Sequence, residues 1–221
     1  MDLEQARFNM IEQQIRPWEV LDPQVLQLLS VVKREDFVPL AHRALAFVDM
    51  EIPLRGGGAQ GQVMLAPRVE ARLLQDLNVQ PHEKVLEIGA GSGYMAALLA
   101  HRAQRVVTLE IQSELARMAR ANLQRAGIHN VEVREADGAQ VAQADGPFDV
   151  ILLSGSVAEL PQFLLDQLTL GGRLAAIVGD EPMMRATLAT RTGDKAWSTA
   201  QPWDTVAPRL LNFAEHSRFH F

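Results

Sequence analysis

The chain contains no cysteine, which excludes disulfides and thiolate metal sites outright. Basic residues are the minority: 21 Lys and Arg stand against 27 Asp and Glu, a formal charge of −6. The concentrated positive field that a phosphate backbone requires is lacking, so nucleic acid is not an expected partner. No uninterrupted apolar run approaches the length of a membrane span. The opening MDLEQARFNM has neither the basic start nor the apolar core of a secretory leader. The six histidines show no metal-like clustering beyond His216 and His220 in the tail, which read as solvent-facing. The expectation is a cytoplasmic protein with no metal and no membrane contact.

What is present is an ordinary globular composition, 48% hydrophobic and 22% charged over 221 residues, enough for one large domain. Residues 3–15 space apolar side chains helically (Leu3, Ala6, Met10; Phe8, Ile11, Ile15) until Pro17 stops the pattern. Asp22 and Pro23 read as N-cap and first residue of a second helix, and Pro67 fits the first turn of a third, carrying Val69, Leu73, Leu74 and Leu77. From residue 84 the rhythm changes. KVLEI, RVVTLE, VEVRE, FDVILL and RLAAIV are short β-rich runs with helical patterns in most gaps, such as residues 113–126 ended by Gly127. After Gly179, MMRATLATRTG and DTVAPRLLNF read as antiparallel closing strands. The pattern predicts an α/β fold: a doubly wound, mostly parallel seven-stranded sheet with a helical N-terminal cap. It is one domain, with the cap and a glycine-rich loop in 1–80, the core in 81–180 and the closing strands in 181–221.

The most informative string is VLEIGAGSGY, residues 85–94, which follows a strand and precedes a helix. A dinucleotide fingerprint would place a third glycine where Tyr94 stands, because it receives a pyrophosphate at the helix N-terminus. Here the glycines alternate, Gly89, Gly91 and Gly93, behind Glu87 at the strand end. That spacing suits S-adenosylmethionine, which has no phosphate. Its aminocarboxypropyl arm can approach bare backbone, and an acid can meet its amino group. Glu110 ends the next strand, where a carboxylate can accept both ribose hydroxyls, and Asp137 lies beyond the third, placed for the adenine amino group. Ala90, Ile111 and Gly138 adjoin these positions and complete the expected cofactor set. A generic glycine turn with helix-capping acids would explain any one feature; three in register favour the cofactor.

At these residues the chain resembles the protein-L-isoaspartate (D-aspartate) O-methyltransferases. MIEQQIRPWEVLDPQVLQLLSVVKREDFVP is similar to that family's N-terminal helices, VLEIGAGSGY to its cofactor motif, and DGPFDVILL followed by GGRL to its later strands. The resemblance implies methylation of isoaspartyl carboxyl groups in damaged proteins, as a step in their repair. It also implies an acceptor side formed by Gln62, Val63, Met64 and Leu65 with Ser154, Gly155 and Ser156. The family's loop reads Leu-Pro-Ile-Gly-x-Gly-Gln-Thr-Ile-Ser, its hydroxyls helping to hold the acceptor carboxylate. In this chain Ile52-Pro53-Leu54, Gly61-Gln62 and Pro67 keep that frame, residues 55–60 run longer, and Val63, Met64 and Leu65 replace Thr, Ile and Ser. Leu65 thus stands at the family's serine, and no catalytic side chain is assigned. Ser154 keeps a hydroxyl at a family threonine, whereas Gly155, Ser156, Val157 and Ala158 depart. A carboxylate is ionised near neutral pH and needs no general base, so positioning can carry the reaction without those hydroxyls. Two alternatives stay open: the same fold acting on another acceptor such as a small molecule, and a cofactor-binding module without catalysis.

Overall fold

The computed structural model describes residues 2–55, 62–140 and 146–215. His216, His220 and Gly61 lie outside the described residues. The cap begins with α1 (Leu3–Met10), whose first amides are met by the Asp2 side chain, which accepts from the Glu4 amide at 3.0 Å. The helix widens to a π turn at Ile11–Ile15 and tightens to a 3₁₀ turn at Arg16–Trp18, where Pro17 can donate no amide. Asp22 caps α2 (Pro23–Val31), accepting from the Gln24 amide at 2.8 Å. Two short strands, β1 (Ile52–Pro53) and β2 (Val63–Met64), pair antiparallel and clamp the two ends of the glycine-rich loop. Directly after β2, Pro67 starts α3 (Pro67–Leu77), which buries Val69, Leu73, Leu74 and Leu77.

The core follows as β3 (Lys84–Ile88), α4 (Tyr94–Ala100), β4 (Arg105–Glu110), α5 (Ser113–Arg125), β5 (Val131–Glu135), β6 (Phe148–Val157), α6 (Gln162–Leu165), β7 (Leu168–Asp180), β8 (Met183–Gly193) and β9 (Ala196–Asp204). These strands form a seven-stranded sheet in the order β5-β4-β3-β6-β7-β8-β9, parallel through β7 and antiparallel at its last two pairings. The central strands β3, β4 and β6 are mostly buried because both faces of the sheet are covered there, whereas the edge strand β5 is only half-buried. Val85, Val106, Val150 and Leu152 pack towards the cap and α3, and Leu86, Ile88, Val107, Leu109, Ile151 and Leu153 pack on the opposite face. The chain leaves β3 for β4 on one side and later returns to β6 on the other. That reversal opens a crevice at the carboxyl end of β3.

The closing region differs from its sequence reading in one respect. MMRATLATRTG is β8, but its partner is Ala196–Asp204, and DTVAPRLLNF is not a strand beyond Asp204. Instead residues 205–213 cross the carboxyl ends of the sheet. The Ser156 amide donates to Pro208 O at 2.8 Å, the Leu210 amide donates to Ser156 O at 2.9 Å, and the Ser156 hydroxyl donates to Ala207 O at 2.8 Å. Pro208 lacks an amide and cannot extend a ladder, so the segment's backbone pairs with β6 only around Ser156. Among the described residues no helix is long and apolar enough to cross a membrane.

Candidate active site

The crevice above β3 is an open cleft with about 620 Å³ of empty space, its mouth included. Its floor is the turn Gly89–Gly93, whose three glycines all have positive φ, +95°, +51° and +83°, a region that L side chains rarely adopt. At two of them space matters as well. A Cβ on Gly89 would meet Leu210 Cδ2 at 3.1 Å and one on Gly91 would meet Leu54 Cδ1 at 3.1 Å, so any side chain there would intrude on the space between the cleft's walls. Gly93 serves helix packing instead. It caps α4, and its Cβ position lies 3.2 Å from the Ala119 backbone, so it lets α4 and α5 approach. It lines neither this cleft nor the cavity beside it.

Two carboxylates face the cleft. Glu110 accepts the Gly91 amide at 2.9 Å on Oε2 and the Gln112 amide at 3.0 Å on Oε1. The backbone therefore fixes its plane, and each oxygen retains a further lone pair. Asp137 accepts the Ala139 amide at 2.9 Å on Oδ1, and Gln140 and Asn212 side-chain amides at 3.1 and 2.9 Å on Oδ2. Ile111 and Gly138 also line the cleft. Gly138 is obligatory for packing, since a Cβ there would lie 2.2 Å from Ile88 Cγ2. The remaining walls are apolar, with Leu109, Leu115, Ala136, Leu210 and Phe213 among them. A cradle of bare backbone, two fixed carboxylates at successive strand ends and flat apolar walls fit an adenosyl group with an amino-acid arm. Among the described residues no three His, Asp or Glu side chains could jointly hold a metal.

Glu87 sits below this cleft rather than in it. It lines a smaller adjoining cavity with about 270 Å³ of empty space, shared with Val63, Met64, Leu65, Ala90 and Ser154. Both its oxygens are engaged, by the Thr108 hydroxyl at 2.6 Å and the Ser154 hydroxyl at 2.8 Å. Burial pushes its carboxyl up to about 8, with Glu70 and Glu110 nearby adding to the rise and the two hydroxyls opposing it. Near neutral pH the group is uncharged. Ala90, expected to touch the cofactor, spends its amide on Leu109 O at 3.1 Å.

On the acceptor side the expected residues divide. Gln62, Val63 and Ser154 line the main cleft, and Val63, Met64, Leu65 and Ser154 line the smaller cavity. Met64 and Leu65 are otherwise buried. Gly155 and Ser156 line neither cavity. A Cβ on Gly155 would lie 2.9 Å from Leu210 Cγ, and Ser156 is fully buried with its hydroxyl on Ala207 O. Their departures from the family pattern seat residues 205–213. That crossing segment supplies Arg209, Leu210 and Phe213 to the cleft. Its sequence does not announce a wall, because it carries only a strand-like apolar signal.

A parallel sheet with a glycine turn after β3 and carboxylates beyond β4 and β5 defines a nucleotide-type cofactor site in the manner of the S-adenosylmethionine-dependent methyltransferases. Similarity to known proteins gives the particular family. The family model for protein-L-isoaspartate(D-aspartate) O-methyltransferase matches residues 5–205. The chain is 40% identical over 173 residues to a protein-L-isoaspartate O-methyltransferase of Methanoculleus marisnigri, covering 78% of this chain and 77% of that one. It is 38% identical over 216 residues to protein-L-isoaspartate O-methyltransferase 1 of Rhodopseudomonas palustris, with 89% and 86% covered. A Plasmodium falciparum crystal structure assigned to the same enzyme, in complex with S-adenosyl-L-homocysteine, superposes with a TM-score of 0.75 at 20% identity, over 92% of this chain and 97% of that one. The chain belongs to the protein-L-isoaspartate(D-aspartate) O-methyltransferase family, whose members are S-adenosylmethionine-dependent methyltransferases.

Proposed function

We propose that this chain methylates the free carboxylate of isoaspartyl residues in polypeptides, with the cofactor in the cleft above Gly89–Gly93 and the acceptor over β2 and Leu65. The observation that carries the reading is the junction of the two cavities, where Val63 and Ser154 line both. When bound, S-adenosylmethionine supplies an electrophilic methyl on a sulfonium. Glu110, its plane fixed by the Gly91 and Gln112 amides, would hold the ribose hydroxyls, and Asp137 with Gly138 would border the adenine.

A carboxylate acceptor is already ionised and needs no base. What the site must do is hold an ionised carboxylate in line with the methyl and keep water out, an effect worth several kcal/mol. The uncharged Glu87 carboxyl suits this. An ionised acid below Ser154 would repel the incoming carboxylate, whereas a neutral one bonded to Ser154 leaves that hydroxyl's position fixed. Val63, Met64 and Leu65 give the acceptor an apolar bed in place of hydroxyl donors.

The test is transfer of labelled methyl to an isoaspartyl peptide and to the matching aspartyl peptide, followed by mild base. Label that enters only the isoaspartyl peptide and is lost in base, as a methyl ester must be, is the expected outcome. Base-stable label, or equal labelling of both peptides, would overturn the proposal.

A further inference from the structure

Arg34 is among the largest fully buried side chains of the protein, 0% exposed. It comes from the charged run KRED after α2, a stretch that by pattern alone belongs on a solvated surface. Burying a guanidinium costs several kcal/mol unless its donors are met, so its partners show what it is for. One terminal nitrogen pairs with buried Glu70 of α3. The other donates to Leu65 O at 2.7 Å. The guanidinium carbon also lies 5.2 Å from the centre of the Tyr94 ring, within cation–π range. Phe37, three residues on, meets the same ring edge-on at 5.5 Å.

These partners are the joints of the site. Leu65 directly follows β2 and lines the cavity that holds Glu87, Gly89 and Ser154. Glu70 lies in the first turn of the helix that begins two residues later, and Tyr94 is the first residue after the cofactor turn. One rigid fork therefore ties the backbone just after β2 to the helix that starts at the cofactor turn. We infer that Arg34 is a positioning residue for methyl transfer, setting the height of the segment Val63 to Leu65 above the Gly89–Gly93 turn through the Leu65 carbonyl. With no hydroxyls in that segment to grip a carboxylate, backbone placement by Arg34 is what remains to align acceptor and methyl. The inference rests on the acceptor reading above.

A buried pair that served only folding could be exchanged for apolar side chains at little cost, and this separates the two roles. The double variant R34M/E70L, in the full-length chain, is expected to melt near the wild-type temperature and bind S-adenosylmethionine within about twofold. Its kcat on an isoaspartyl peptide should fall at least about tenfold, as expected for a displacement near 1 Å, and amides of residues 62–66 should exchange faster with deuterium. Wild-type kcat together with wild-type exchange would overturn the inference. R34K serves if the double variant does not fold: its ammonium keeps the charge beside Glu70 but lacks the fork that also reaches Leu65 O. It should show the same two changes in smaller degree, and their absence would equally overturn the inference. Should the wild-type chain transfer nothing to isoaspartyl peptides, the acceptor reading fails, while the exchange rates still decide whether Arg34 holds the segment.

Discussion

The two halves of the site are built from different materials. The cofactor half is built largely on backbone: a glycine turn, then Glu110 held by the Gly91 and Gln112 amides and Asp137 held by the Ala139 amide, at the ends of successive strands. The half proposed for the acceptor draws on distant pieces: β2 and Leu65, Ser154 on β6, Glu87 beneath, and the buried pairs Arg34–Glu70 and Arg7–Glu35 within residues 1–80. A backbone-built site tolerates little change, because the geometry of the chain is the binding surface. A site built on side chains and inserted charges can be refitted piece by piece. This chain has changed the second kind and kept the first.

The sharpest way to break that comparison is to remove a charge from the foundation of the acceptor half. Glu35→Ala leaves the Arg7 guanidinium buried without its partner, and the chain should lose about 3–5 kcal/mol of unfolding free energy, read from denaturant melts. Once folded, it should still bind S-adenosylmethionine normally. Glu110→Ala is the converse. It should weaken cofactor binding at least about tenfold, from hydrogen bonds to a charged group worth roughly 1.5–3 kcal/mol, with only a small change in melting temperature. An unchanged dissociation constant in calorimetric titration would make Glu110 a mere cap for the Gly91 and Gln112 amides.

Glu87 gives a smaller effect, in pH. Burial keeps its carboxyl protonated in the folded chain up to about 8, whereas in the unfolded chain the proton leaves near the ordinary value of 4.5. The folded state therefore binds more protons in that window. The stability that Glu87 contributes is therefore fully present below pH 4.5 and is lost as pH rises through about 8, by at most about 1.4 kcal/mol per pH unit. Glu70, raised by burial against the opposing Arg34, contributes in the same sense. Glu87→Gln should flatten the decline in melts taken between pH 5 and pH 8; an unaltered slope would show that Glu87 is ionised throughout.

The same division explains what is legible in the sequence. The central parallel strands announce themselves because both faces are buried, so apolar residues run on without alternation. The cofactor turn is equally plain, since its spacing lies within ten residues and its partners end the next two strands. What cannot be read is what depends on tertiary approach. Gly138 looks like a cofactor neighbour, yet it is also required by Ile88 Cγ2 beneath it. Gly155 and Ser156 stand at a strand end that should face the acceptor, yet a crossing segment 50 residues later in the chain covers them. That segment reads as a strand because Leu210, Leu211 and Phe213 suggest one, while AWSTAQPWD, the true closing strand, has too few apolar residues to declare itself. Arg34 looks like part of a solvated charge run, and only its fit among Glu70, Leu65 and Tyr94 shows otherwise.

The central claim is that the acceptor strand positions a carboxylate without hydroxyls while the cofactor half is complete. Val63 is the place to test it, because it is only half-buried, lines both cavities, and differs from the threonine that the family has there by one methyl in place of a hydroxyl. Leu65 is unsuited, since it is buried and a serine there would leave a cavity. The measurement is kcat/KM on an isoaspartyl peptide and the S-adenosylmethionine dissociation constant, for wild type and Val63→Thr side by side. The account predicts a gain of about three- to tenfold in kcat/KM, the size of one modest hydrogen bond, with cofactor affinity unchanged. No gain in kcat/KM, or a shift in cofactor affinity of the same size, would contradict it.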